Sequence, residues 1–218
     1  MQPIRKKVSI PVRSGTMSWI KTVLNSPYTF WLLLALPSLG MIGGAVSGDA
    51  SFHRLLHPTG EFAARFTILA MMITPLMLVL GRRRWLLWLM ARRRYLGVAA
   101  FGYAVLHTLY YVLDKVTLDA MLAELTKTGI WTGWVAFLIF VPLAITSNDG
   151  SMRRLGSQAW KNLQRWVYPA AVLTLVHWLF VTREPGAALV HFAPLALLEA
   201  WRFKLWLDRR NERRLTAA

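Results

Sequence analysis

Cysteine is absent from the chain. Disulfides, thiolate-ligated iron, iron–sulfur clusters and cysteine-based zinc sites are therefore excluded. A glycine-rich phosphate loop is missing as well. So are any nucleophile–base pair and any pair of carboxylates, and hydrolytic chemistry has no support. Acidic residues are scarce: 10 Asp and Glu stand against 26 Lys and Arg, for a net charge of +16. In a soluble protein that balance would suggest nucleic acid. Here the basic residues cluster between apolar runs, where they set topology and meet anionic headgroups. The expected partner is the lipid bilayer, not nucleic acid. There is no internal repeat, no low-complexity segment and no room for a soluble domain.

What the sequence does have is apolar length. Of 218 residues, 56% are hydrophobic and 11 are tryptophan, and the mean hydropathy is +0.40. Apolar runs of membrane-spanning length decide the class, an integral membrane protein. Residues 1–26 form a basic segment in which Pro3 and Pro11 oppose a long helix. The first apolar run is 28–46. A signal peptide is the rival reading, with Ala45-Val46-Ser47 as its cleavage site, but the run exceeds the usual 7–15 residues and a retained span is favoured. Further spans are expected over 61–80, 95–113, 130–146, 160–180 and 187–206. The segment 81–94 carries two Arg triplets around a stretch too short to span, which suits a separate interfacial helix. A basic tail covers 208–218.

Backbone groups in lipid must be satisfied internally, so the spans are helices and the fold is an all-α bundle of six transmembrane helices over 27–207. Segments 1–26, 81–94, 148–161 and 201–218 together hold 20 Lys and Arg, whereas 48–60, 114–129 and 182–186 hold 4. The asymmetry places both termini in the cytoplasm of a multi-pass protein of a bacterial inner membrane.

Five histidines are present, and only His107 and His177 lie well inside spans. An intramembrane histidine is expensive and marks a functional candidate. His107 lies 13 residues beyond Arg94, and His177 lies 16 beyond Lys161. At about 1.5 Å per residue the two sit at similar depth, ~20 and ~24 Å from the inner boundary. Two neutral imidazoles across a gap are what a six-coordinate haem iron needs. The alternative is that each histidine only hydrogen-bonds a neighbouring helix. Both readings stand on these residues alone.

The runs RRRYLGVAAFGYAVLHTLYY (92–111) and PLAITSNDGSMRRLGSQAWKNLQRWVY (142–168), followed by His177, resemble the ferric-reductase-like transmembrane family. Within it they are most similar to the haem-binding membrane subunits of periplasmic methionine-sulfoxide reductase systems. The resemblance covers about 59–180. It implies a cytochrome b-type electron-transfer subunit rather than a catalytic one. It further implies His107 and His177 as axial ligands of haem b, FMN as an associated cofactor, and a periplasmic molybdopterin-containing reductase of the MsrP type as electron acceptor. Quinol or a cytoplasmic flavin reductase would be the donor. One departure stands out: Gln164 occupies the position of a second family histidine, 13 residues before His177. The matching level on the third span falls at Arg93 and Arg94, which do not ligate iron. One haem is therefore expected rather than two. The inner gap would need another anionic carrier near Arg92, Arg93, Arg94 and Arg165. A stand-alone ferric or quinol-oxidising cytochrome, and a non-redox transporter or assembly protein, are the competing functions. His53 and His57, four apart, and His191 are read as a weak metal pattern and an interfacial residue.

Overall fold

A computed structural model describes residues 22–23, 26–182 and 184–216. Most of the basic segment expected at 1–26 lies outside the described residues, as do Arg183 and residues 217–218. Every regular element among the described residues is a helix: α1 (Pro27–Ser47), α2 (Phe52–Leu80), α3 (Arg84–Lys115), α4 (Leu118–Glu124), α5 (Thr128–Ile145), α6 (Asp149–Leu155), α7 (Ser157–Gln164), α8 (Val167–Val181) and α9 (Pro185–Leu215). Of these, α1, α2, α3 and α5 are long and apolar enough to cross a membrane. Many large apolar side chains face outward, among them Leu32, Leu36, Leu138, Val190 and Leu197. Lipid solvates such side chains, so their exposure carries no penalty.

Two expected boundaries move. The interfacial helix at 81–94 is not separate: from Arg84 onward it is the first part of α3, which runs unbroken for 32 residues. The reason is packing. Leu86 is fully buried, and Trp88 meets Phe30 of α1 edge to face at 5.6 Å. Arg92 stays inside the helix by laying its guanidinium 3.9 Å over the Trp88 ring and donating to the Trp88 carbonyl. The fifth run, expected whole over 160–180, is divided into α7 and α8 at Arg165 and Trp166. Pro169 lies in the first turn of α8, where its missing N–H removes no helical bond and its ring blocks continuation from α7. Span two also starts earlier than expected, at Phe52, so Pro58 sits inside α2.

Packing divides the bundle into two close helix pairs, α2 with α3 and α5 with α8, and α3 also touches α5. One apolar core joins α2, α8 and α9 through Ile68, Met71, Trp178 and Phe192. Another joins α1, α2 and α3 through Phe30, Leu34, Ile73 and Leu96. Tyr103 and Tyr110 of α3 donate their hydroxyls to the carbonyls of Leu34 and Met41, pinning α1 in place.

Candidate functional site

Each close helix pair supplies one histidine. His107 of α3 and His177 of α8 bring their rings to 5.9 Å between centroids, nearly perpendicular at 86°. Both imidazoles are held in the same way. Nδ1 of His107 donates to the carbonyl of Leu56 on α2 at 2.9 Å. Nδ1 of His177 donates to the carbonyl of Gly129 on α5 at 2.5 Å. With Nδ1–H so engaged, the neutral tautomer keeps its lone pair on Nε2. Neither Nε2 has a hydrogen-bond partner among the described residues.

The cradle behind each ring is also the same. Four residues beyond Leu56 stands Gly60, and four beyond Gly129 stands Gly133. A Cβ on Gly60 would fall 3.0 Å from Nδ1 of His107, and one on Gly133 only 2.5 Å from Nδ1 of His177. Glycine is required at Gly133, and it is nearly required at Gly60. A threonine precedes each glycine. Thr59 directs its hydroxyl to the carbonyls of Leu55 and Leu56, and Thr132 to those of Thr128 and Gly129. Both threonines are buried. A Thr-Gly step thus stands behind each ring, at 59–60 on α2 and at 132–133 on α5. Each step shapes the carbonyl that orients the ring.

Metal–imidazole bonds are about 2 Å long, and a ring centre lies about 1 Å behind its nitrogen, so two imidazoles sharing one iron need centroids about 6 Å apart. The observed separation fits. Small residues line the flanks of the pair. An apolar cleft on one side is bounded by Ala63, Ala104, Gly133 and Ala136, with Phe137 and Phe140 as walls. On the other side a cavity of about 560 Å³ reaches the mouth of the bundle, where Lys115, Lys127, His53 and His57 stand. An iron porphyrin, apolar in its body and anionic at one edge, matches this pair of clefts.

At the mouth, Glu124 gathers three partners: Lys127 at 2.9 Å, Lys115 at 3.0 Å and the Tyr111 hydroxyl at 3.1 Å. The two ammonium groups hold its carboxyl at about 2, well below the ordinary 4.5. His53 bonds Asp114 at 3.3 Å. His57 lies 3.8 Å from Glu61, and His191 accepts from Arg65 at 3.1 Å while standing 3.5 Å from Glu61. These three histidines are thus divided between two polar clusters. Among the described residues no group of three or more His, Asp or Glu is arranged around a metal position.

Each of the arginines expected at the opposite level has a partner of its own. Arg94 pairs with Asp149 at 2.6 Å, Arg93 donates to Thr74 at 3.4 Å, and Arg165 reaches Asn162 at 3.5 Å. Gln164 donates to the Leu143 carbonyl at 3.1 Å and to the Thr146 hydroxyl at 3.2 Å, capping the end of α5. Sequence reading missed the Thr-Gly steps and Arg202, which bonds the Tyr168 hydroxyl at 2.9 Å. The one signal for the steps was the Thr-Gly dipeptide at 59–60 and 132–133, which also occurs at 128–129.

The family model for the ferric reductase like transmembrane component matches residues 59–175. Over 180 residues the chain is 34% identical to the protein-methionine-sulfoxide reductase heme-binding subunit MsrQ of Azospira oryzae, covering 79% of this chain and 76% of that protein. It is 36% identical over 150 residues to the MsrQ proteins of Brucella ovis and Brucella canis, covering 67% of this chain and 66% of theirs. No solved structure matches. The match begins at Thr59 of the first Thr-Gly step and takes in the second step and His107. With more than half the chain inside the family model, this protein belongs to the MsrQ family of ferric-reductase-like transmembrane proteins.

Proposed function

We propose that this chain is the haem-binding membrane subunit of a protein-methionine-sulfoxide reductase system, holding one haem b between His107 and His177. The observation that carries the reading is the matched pair of imidazoles, each with Nδ1–H on a carbonyl and Nε2 without a hydrogen-bond partner among the described residues. A bound haem supplies one-electron chemistry at a potential set by its axial ligands and surroundings. The chain's own residues orient the ligands, exclude lipid from the iron with aromatic walls, and place cations at the mouth for carboxylate groups.

In this reading α8 and α9 cross the inner membrane of a bacterium together with α1, α2, α3 and α5, and both termini are cytoplasmic. The charge asymmetry supports that orientation. The histidine level then lies in the outer half. His107 is 8 residues from the end of α3 at Lys115, about 12 Å along the helix. The electron leaves to a periplasmic molybdopterin-containing reductase of the MsrP type, which acts on oxidised methionines. Quinol or a cytoplasmic flavin reductase supplies it. FMN enters through the family resemblance alone. Because Arg92, Arg94 and Arg165 are directed elsewhere, a flavin phosphate at the inner level would have to rely on Arg93 and Arg202.

The test is a visible spectrum of the purified full-length protein. Soret and α bands of low-spin haem b are expected in the dithionite-reduced sample. Their absence overturns the redox reading. Co-purification with a periplasmic molybdoenzyme checks the acceptor.

A further inference from the structure

Beyond its membrane length, α9 continues as a basic arm, and the groove between that arm and the end of α2 is not part of the histidine site. The groove has a volume of about 730 Å³. Arg202, Arg209, Arg210, Arg213 and Arg214 line it, with Glu199 as the only carboxylate. Arginines 209 and 213, and likewise 210 and 214, are four apart and share a helix face. Asp208 and Glu212 alternate with them in sequence yet do not line the groove. The helix therefore sorts its charges, and the groove receives the cations.

Of the groove's arginines, only Arg202 has a carboxylate partner among the described residues, Glu199 at 3.2 Å. Arg202 is also tied to Tyr168, and Arg93 approaches the floor through Thr74. The other wall is apolar: Leu78, Phe203 and Trp206 are all exposed. Charges that serve topology alone need only face water. Here cationic side chains sit beside an apolar wall at the arginine-rich end of the bundle. That combination suits a phosphate ester carried on a hydrocarbon body, and planar guanidiniums bind phosphate in bidentate fashion.

We propose that this groove binds an anionic phospholipid, its phosphodiester among Arg209, Arg210, Arg213 and Arg214 and its acyl chains along Leu78, Phe203 and Trp206. Four arginines without carboxylate partners favour a headgroup with two phosphates, as in diphosphatidylglycerol, over one. The shared chemistry is a phosphate ester, and the phosphomonoester of FMN is the other source to separate. The assignment does not depend on haem.

Native mass spectrometry of the full-length protein in mild detergent tests it, with added diphosphatidylglycerol, phosphatidylglycerol, phosphatidylcholine or FMN. A one-to-one adduct is expected with diphosphatidylglycerol, a weaker one with phosphatidylglycerol, and none with the zwitterionic lipid. Each lost arginine near a lipid surface weakens binding about fivefold, so R209A/R213A should bind diphosphatidylglycerol about 30-fold more weakly. R82A/R83A, which removes the same charge outside the groove, should bind like the parent. Equal losses in the two variants would mean diffuse surface charge and would overturn the site. An FMN adduct that needs Arg209 and Arg213, without a lipid adduct, would overturn the lipid assignment.

Discussion

At the histidine level, polar side chains are oriented by the facing helix and keep one nitrogen available. At the arginine level, 14 residues away along α3 and so about 21 Å distant, polar side chains fasten helices to one another. His107 and His177 have Nδ1 engaged and Nε2 without a partner. Gln164, Arg93 and Arg94 each end on a neighbour: the end of α5, Thr74 of α2 and Asp149 of α6. Under the proposed function, this difference separates a ligand position from a structural one. Each of the two histidines has a carbonyl for Nδ1 and a glycine against its ring. Gln164 places its amide N–H groups on the Leu143 carbonyl and the Thr146 hydroxyl, and so ties α7 to the end of α5.

The largest expected effect breaks the histidine level itself. H107A or H177A should abolish low-spin haem b while the protein still inserts, because alanine is tolerated in a membrane helix. Absorption and electron paramagnetic resonance spectra read the outcome. Unchanged low-spin signals in both variants would refute the pair as ligands.

The glycines sharpen the comparison within that level. A Cβ at Gly133 would lie 2.5 Å from the His177 ring, and one at Gly60 lies 3.0 Å from the His107 ring. Overpacking of this kind costs about 1–3 kcal/mol when the neighbour must shift. G133A should therefore lose more haem than G60A. Val at Thr59 or Thr132 removes a hydroxyl from the orienting carbonyl, and such outer groups typically contribute about 10-fold or more to metal affinity. The haem-to-protein ratio under dilution measures all four. Equal occupancy in G133A and G60A would show that the cradle does not hold the rings as described.

Much of this was legible in the sequence, and the physical reasons divide cleanly. Intramembrane histidines are rare enough that His107 and His177 stood out, and counting residues from the basic boundaries at the helical rise placed them at similar depth. The Thr-Gly steps did not stand out, because threonine and glycine are ordinary residues in membrane helices; only the shared carbonyl and ring contact reveal them. The segment 81–94 looked interfacial because the stretch between its two Arg triplets is too short to span. Arg92 instead lies over Trp88, a cation–π contact that no charge count displays. Arg202, on the far side of a groove formed by α2 and α9, had no local signal at all.

Converting the arginine level into a second ligand level should fail. Q164H places an imidazole near the end of α5, but the level expected to match it on α3 holds Arg93, bound to Thr74, and an arginine does not ligate iron. The haem-to-protein ratio by pyridine haemochrome should stay near one in both the parent and Q164H. A ratio near two in the parent would overturn the one-haem reading. A gain in Q164H alone would show that a single substitution restores the inner level.

The smallest effect concerns the knot that ties the two halves of the histidine level together. Tyr111 and Lys115 belong to α3, which carries His107, and Lys127 caps the start of α5, which holds the ring of His177. Glu124 binds all three, and its carboxyl sits near 2, below its ordinary 4.5, chiefly because of Lys127 and then Lys115. A carboxyl depressed by folding stabilises the fold when ionised. Its contribution is therefore complete above about pH 4.5 and is lost as the pH falls toward 2. E124Q lacks the charge at every pH. At pH 7 the parent should melt slightly above E124Q in the same detergent, by circular dichroism at the helix minimum. As the pH is lowered through 4.5, the two melting temperatures should converge. A gap that persists unchanged at pH 3 would mean that Glu124 acts through its shape, and that charge does not link α3 to α5 at the mouth.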